Sequence, residues 1–469
     1  MLFFLRALSL FLAWMPEAVC RVLAFGLGEL VFWGIPRRWR SVLSNLSHAF
    51  PEKPHAWLVR MGRRSLHRML ETGLLAIVYP QLSPARIRCM ARPGDSLNAT
   101  LSNLCKSGRP AVFAIPHMGA WELCSAIPAL YEGRLPGMGA VYRPLRNKAL
   151  DDWVRGARER FGVRMLSRKE GFNEGMQILR NKGVFAILFD QNARDSGVLS
   201  LFLDRVCSTT NLPGLMVAKF DARLAIFHTR RRAFWRYDLE LVFKDDVRSD
   251  AGAVTAELNR WLESSLRADE DLSATWLWVH NRWKTQIEPR VRFRLEHRRS
   301  ILPPAQNLPR RTRFFVRLPD AMDLALRAVP LLAALRKSRP DAAISVLADQ
   351  AVSEVIESHG IADSTIELPR GRTARLQFAW RLRRGFPDCW IVLSEDTGAD
   401  LEAWLSRCPQ RFGIERAGRP RPRLTHRWRV PEALDSPEAR IETIWEAFFR
   451  DHGMTGDLVL EPATSRSAE

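Results

Sequence analysis

The sequence predicts an α/β protein: two successive α/β units behind an N-terminal segment of membrane-associated helices. Three observations carry this. Short apolar runs alternate with amphipathic helical stretches from residue 41 to about 460, the pattern of helices around a mixed, mainly parallel sheet. An Arg-, Pro- and Asn-rich stretch at 298–310 interrupts the alternation and reads as a linker. The first 40 residues are the most apolar of the chain. The expected organisation is a membrane-associated helical segment at 1–40, a first domain at 41–297, the linker at 298–310, a second unit at 311–460 and a frayed tail at 461–469. A chain of 469 residues accommodates this.

Within 1–40, Arg6 is the one charge of the first fifteen residues, and Glu17, Arg21 and Glu29 interrupt the apolar text that runs on to Ile35. Pro36 to Arg40 closes the segment with positive charge. A secretory signal would have a basic start and a small-residue cleavage site, and neither is present. A clean spanning helix needs about 20 residues without charge. Helices lying in the bilayer interface fit better, with the basic end on the cytoplasmic side. A buried helix pair of a soluble domain is the alternative.

The first domain opens with an amphipathic stretch near 57–78. Its expected strands are Ala111–Ile115, Gly137–Val141, Val184–Phe189 and Arg223–His228, with helices at Leu150–Phe161 and Glu170–Asn181. The second unit should hold strands Arg313–Leu318, Ala343–Leu347 and Cys389–Leu393, and helices Asp323–Lys337 and Gln350–His359.

Lys and Arg number 71 against 51 Asp and Glu, giving a net charge of +20. That surplus calls for an acidic partner: nucleic acid, an anionic membrane surface or an acidic protein. Zinc-finger spacing and RNA-recognition signatures are missing from the sequence, so nucleic acid is set aside. The seven cysteines are scattered and form no C-x2-C pair, which argues against a disulfide framework or zinc site and for a reducing compartment. No metal and no cofactor is expected.

The chemistry centres on His117 and Glu122, at the end of the apolar run Ala111–Ile115. Imidazole is the usual base near neutral pH, and a carboxylate on its other nitrogen fixes the tautomer. On one helix, five residues span about 500°, so the two side chains would diverge. His117 is therefore expected in a turn eased by Gly119, with Glu122 in the first helical turn. The plainer alternative is a solvated histidine with a carboxylate placed for helix-dipole reasons.

Further stretches come in order along the chain: Tyr142-Arg143-Pro144 with Asn147, then Arg158, then Asp190, then Trp278, His280, Arg282 and Lys284. His117, Arg143 and Asp190 each sit just past an expected strand, the edge where α/β sheets bind ligands. The tryptophans at 276–284 are open to three readings: core packing, a membrane interface or a base-stacking platform.

Across residues 1 to about 290 the chain resembles the late acyltransferases of lipid A biosynthesis, the lauroyl/myristoyl transferase family. The matching residues are Asn45-Leu46, Phe50-Pro51-Glu52, the H-x4-E pair His117 and Glu122, the Tyr142-Arg143-Pro144 and Asn147 stretch, Arg158, Asp190 and the Trp278-to-Lys284 stretch. The resemblance implies acyl transfer from acyl-acyl carrier protein to a hydroxyl of a lipid A precursor or related glycolipid, at the cytoplasmic face of the inner membrane. His117 would be the base and Glu122 its orienter. Arg143, Asn147, Arg158, Asp190, Thr209 and Thr210 would contact substrate, Arg158 through a phosphate or the developing oxyanion. Thr209 and Thr210 read equally well as a helix N-cap. Asn192 stands where the family often has an acid, and Leu201 to Asp204 where it has Phe-Phe-Gly.

From about 311 the chain resembles the N-terminal, Rossmann-like half of ADP-heptose:lipopolysaccharide heptosyltransferases, through Phe314 to Asp323, Pro330 to Arg336, Pro340 to Leu347, Arg411 to Ile414 and Leu424 to His426. Asp323 matches the likely base of those enzymes, but Met322 replaces the preceding glycine. The expected reading is a degenerate half-domain that binds glycolipid or a partner. The rival readings are a bifunctional acyl- and glycosyltransferase and an inactive glycolipid-binding protein. No H-E-x-x-H, G-x-S-x-G or Walker motif points to other chemistry.

Overall fold

A computed structural model of the protein describes residues 2–94, 97–168, 171–247, 250–284, 299–436, 438–456 and 461–462. Glu170, Arg298 and the expected tail from 463 lie outside the described residues. The chain divides into two compact units. One is Met1–Gly197 with Thr209–Arg282; the other is Val198–Ser208 with Trp283–Glu469.

The first unit begins with four helices: α1 (Leu2–Trp14), α2 (Glu17–Gly34), α3 (Pro36–Ala49) and α4 (His55–Val78). Pro16 and Pro36 sit at or beside helix starts, where a missing N–H costs nothing. α2 inverts the usual pattern. Its buried residues are small (Cys20, Ala24, Gly28), spaced four apart, while Val22, Phe25, Leu30 and Trp33 are exposed. α2 packs on α4, where Glu29 receives Arg63 at 2.7 Å and meets His67 at 2.8 Å. Gly28 is required there, because a Cβ would strike the His67 ring. Among the described residues no single helix is long and apolar enough to cross a membrane. The pair Glu17–Gly34 and Arg38–Ala49, bent by 90°, meets the test only jointly, on length and composition.

The sheet of this unit has seven strands: β1 (Ala91–Pro93), β2 (Ala111–Ile115), β3 (Met138–Tyr142), β4 (Val163–Ser167), β5 (Val184–Leu188), and two that come after a hairpin of the other unit. That hairpin is β6 (Val198–Phe202) and β7 (Arg205–Thr209); β8 (Arg223–Ala233) and β9 (Arg236–Phe243) then complete the sheet. The order is β1-β9-β8-β2-β5-β3-β4. Every pairing is parallel except β8 with β9. The sheet is thus mixed and mainly parallel. β2 is buried along its whole length, as the near-continuous apolar text of a central parallel strand requires. The four strands expected in this unit form within a few residues of their expected ends. β1, β4 and β9 were not among the expectations; β9 lies between β1 and β8 and alternates partly buried and buried residues along most of its length.

The second unit has a six-stranded, all-parallel sheet. After β10 (Arg299–Ser300) its strands are β11 (Thr312–Arg317), β12 (Ala342–Ala348), β13 (Ser364–Glu367), β14 (Cys389–Val392), β15 (Arg411–Glu415) and β16 (His426–Arg429), in the order β13-β12-β11-β14-β15-β16. The single helix expected over Asp323–Lys337 is two, Met322–Arg327 and Val329–Ser338, split just ahead of Pro330. The β6–β7 hairpin turns on Leu203 and Asp204, both at positive φ (50° and 59°), the two-residue geometry that suits strand twist. Its Leu199 and Val206 pack with Leu308. Within the described part of the expected linker 298–310, Leu302 and Leu308 pack with the hairpin.

Candidate functional site

The register of the first sheet sets the site. Ile115 of β2 faces Leu188 of β5, so the residues two past each strand end, His117 and Asp190, lie level at the carboxyl edge. Ala114 faces Ile226 of β8, which brings Thr229 to the same level on the other side. Thr229 Oγ1 accepts from the Ala120 N–H at 2.9 Å and donates to the Met118 carbonyl at 3.3 Å. Gly119 turns the chain at φ +59°, and a Cβ there would collide with Thr229. A 3-10 turn, Trp121–Ala126, comes next and carries Glu122.

His117 Nδ1 lies 2.7 Å from Asp190 Oδ1. Asp190 Oδ2 accepts from the His117 backbone N–H at 2.9 Å and from the Trp276 indole N–H at 2.7 Å. The Asp190 side chain is almost wholly buried. Burial pushes its carboxyl up, but the His117 ring and these hydrogen bonds outweigh it and hold the pKa below the usual carboxylate value. On the opposite ring edge, the Gln191 side-chain amide lies 3.0 Å from His117 Nε2. With Nδ1–H directed at the carboxylate, Nε2 is the basic nitrogen, and the amide N–H donates to it.

The carboxylate beside the His117 ring is thus Asp190, where Glu122 was expected. Glu122 instead forms a fork with Arg158: Nε to Oε2 at 2.8 Å and Nη2 to Oε1 at 2.6 Å. The reason is directional. The turn at Gly119 carries Glu122 towards the helix Lys148–Glu159, while the β2–β5 register has already placed a carboxylate beside the ring. Burial works against the Arg158 charge, but Glu122 overcomes it and raises the pKa above the ordinary value.

The other expected site residues are dispersed. Arg143 is exposed and makes no hydrogen bond or ion pair among the described residues. Asn147 caps the helix Lys148–Glu159, its Oδ1 accepting from Leu150 N–H at 2.9 Å. Thr209 is buried and accepts from Arg282 Nη2 at 2.5 Å. Thr210 Oγ1 accepts from Leu212 N–H at 3.4 Å, a turn at the start of the helix Leu212–Phe220. None of these hydrogen bonds, among the described residues, reaches the His117–Asp190 pair.

The C-terminal stretch of the unit frames the site. Leu277 N–H reaches the His117 carbonyl at 3.1 Å, and Gly119 N–H the Thr275 carbonyl at 3.1 Å. His280 Nε2 accepts from Asn192 N–H at 3.1 Å, and Arg282 Nη1 donates to the Gln191 carbonyl at 3.1 Å. Asn45 Nδ2 braces the stretch through the Trp278 and His280 carbonyls, at 2.8 and 3.1 Å. Trp276, Trp278 and Trp283 are 0–2% exposed, so the tryptophans are packing residues and neither a membrane belt nor a stacking platform. Sequence reasoning passed over Gln191 and gave Trp276 no role at the site.

A histidine paired with a buried carboxylate at the carboxyl edge of an α/β sheet defines a site equipped for general acid–base chemistry. The chain belongs to the bacterial lipid A biosynthesis acyltransferases, whose family model matches residues 1–285. No curated protein matches the chain. Among solved structures, it is similar to the E. coli ADP-heptose LPS heptosyltransferase II at 19% identity and a TM-score of 0.24, covering 26% of this chain and 36% of that one. It is also similar to the glycosyl transferase family 9 protein of Veillonella parvula at 20% identity and a TM-score of 0.27, covering 31% and 42%. The chain spans less than half the length of either.

Proposed function

We propose that the chain transfers a fatty acyl group from an acyl carrier protein thioester to a hydroxyl of a lipid A precursor or related glycolipid. The observation that carries this reading is the His117 ring, held by Asp190 on one nitrogen and open to an exchangeable partner, Gln191, on the other. The acceptor hydroxyl displaces the Gln191 amide and donates to Nε2. Nε2 takes the proton as the oxygen attacks the thioester carbonyl. Asp190 stabilises the imidazolium, and the tetrahedral intermediate collapses with cleavage of the C–S bond. The imidazolium returns the proton to the leaving thiolate, giving ester and free thiol. The net charge of +20 suits an acidic carrier protein.

In the same reading the chain sits on the cytoplasmic face of the inner membrane, attached through α1 and α2. Phe3, Phe4, Trp14 and Trp33 are 73–94% exposed, and apolar side chains turned outward along two successive helices form a surface that lipid would cover. The second unit is read as non-catalytic. Asp323 is exposed on the first turn of a six-residue helix, next to Met322.

The deciding experiment is mass spectrometry of lipid A from cells with and without the gene, complemented by wild type or His117→Ala. Loss of one acyl chain, restored by wild type alone, is the expected outcome. Restoration by His117→Ala would refute the mechanism. Calorimetry of the full chain with ADP-heptose is expected to show no binding, and micromolar binding would favour a bifunctional enzyme.

A further inference from the structure

A cavity of about 420 Å³ opens between α2, α4 and the β8–β9 turn. Four arginines line it, Arg21, Arg64, Arg68 and Arg231, against one carboxylate, Glu71. Glu71 is already committed. It is 2% exposed and accepts from Arg68 at 3.2 Å, Arg231 at 2.9 Å, Trp235 N–H at 3.1 Å and Tyr237 O–H at 3.0 Å. Among the described residues Arg231 uses only Nε and Arg68 only Nη1 in hydrogen bonds, so donors remain on both. Arg21 has no partner among them, and Arg64 pairs with the exposed Asp271. Burial and the neighbouring Arg231 charge hold the Arg68 pKa below its ordinary value, the signature of cations crowded without enough counter-charge. The other wall is apolar, with Val22, Phe25 and Phe234.

Position narrows the ligand. Arg21, Val22 and Phe25 belong to α2, and Val22 and Phe25 are 67% and 55% exposed on its outward apolar face. Arg231 lies two residues beyond Thr229, which holds the His117 turn. The cavity therefore joins the outward apolar face to the sheet edge that carries the reaction site. A ligand fitting both walls has a doubly charged oxyanion next to hydrocarbon, and guanidinium forks match phosphate oxygens.

We propose that this cavity binds the phosphate of an anionic membrane lipid, with its acyl chains along α2. The proposal rests on membrane attachment through α1 and α2. It adds a specific headgroup site to a surface otherwise held by apolar contact.

Flotation of the full chain with vesicles tests it. The probes are phosphatidylcholine alone and phosphatidylcholine with phosphatidic acid, against wild type, Arg21→Gln, Arg21→Gln/Arg64→Gln and Arg6→Gln. Arg6 is an exposed charge on α1 outside the cavity. The expected result is a loss of phosphatidic acid binding of roughly fivefold for Arg21→Gln and about 30-fold for the double variant, with binding to phosphatidylcholine unchanged. Arg21 is exposed and Arg64 pairs with the exposed Asp271, so thermal unfolding measured beside binding checks the fold. Double-variant binding within twofold of wild type overturns the proposal. An equal loss for Arg6→Gln also overturns it, because it shows general surface charge. Displacement of the chain from vesicles by inorganic phosphate would assign the cavity to a soluble anion and overturn the lipid. Failure of wild type to bind any vesicle would instead refute the attachment itself.

Discussion

Asp190→Asn separates the carboxylate beside His117 from Glu122, which pairs with Arg158. Asp190 Oδ2 accepts from the His117 N–H and the Trp276 indole, so an asparagine oxygen takes that place and keeps both bonds. Its amide nitrogen is then forced towards His117 Nδ1, where Oδ1 stood at 2.7 Å. Two donors cannot face each other, so the ring adopts the tautomer with the proton on Nε2. The nitrogen that should accept the hydroxyl proton becomes a donor. In a hydrolytic triad the same exchange costs about 10⁴ in kcat; with a base worth 10²–10⁴, a loss of about 10³–10⁴ is expected here. Stability should fall by only about 1–2 kcal/mol, since one charge-assisted bond is lost while two bonds and the volume are kept. Single-turnover transfer from an acyl carrier protein thioester, read beside thermal unfolding, measures both. Near wild-type turnover in Asp190→Asn, with Glu122→Gln inactive, would return the orienting role to Glu122.

Gln191→Ala removes the amide that occupies His117 Nε2; the acceptor KM should fall by up to about fivefold with kcat little changed, the release of one hydrogen bond, whereas a large drop in kcat would make Gln191 a direct participant. Glu122→Gln and Arg158→Gln should each lower stability by about 2 kcal/mol, and the double variant by little more, because either change strands a half-buried partner of the same fork; additive losses in denaturant unfolding would contradict the pairing. His228 is buried, and burial, with Arg230 adding, lowers its pKa to about 4 from 6.5. The unfolded chain thus takes up a proton first on acidification. Stability present above pH 6.5 is lost as pH falls towards 4, by at most about 3 kcal/mol. His228→Phe should flatten that slope in stability-versus-pH curves, and an unchanged slope would refute the assignment.

Much of the first sheet was legible because its central strands are continuous apolar runs ended by turn residues, as Ala111–Ile115 and Val184–Leu188 show. β9 was passed over although Arg236 to Leu241 alternates charged and apolar residues, because it has no continuous apolar run like those of the central strands. The turn that carries His117 past the strand was legible from spacing alone. The ring's partner was not: Glu122 is near in sequence, but Asp190 is brought level by strand register, a quantity no local pattern encodes. Two equal offsets past neighbouring strands, at 117 and 190, were the available signal. Asn147 was expected at the site through the resemblance of its stretch, and its cap on the helix Lys148–Glu159 was not legible from that motif.

The β6–β7 hairpin gives the chain an interleaved order. Residues 198–208 are made in the middle of the first unit yet complete the second, through Leu199 and Val206 against Leu308 and through buried Arg205, 2.8 Å from Asp388. During synthesis, that hairpin waits for more than 180 residues before Asp388 emerges. A fragment cut at the family boundary near 285 would leave Arg205 without Asp388, and Leu199 and Val206 without Leu308. The two units are then one heritable piece: a gene that loses its 3′ end does not shed an accessory domain but leaves an open wound in the enzyme.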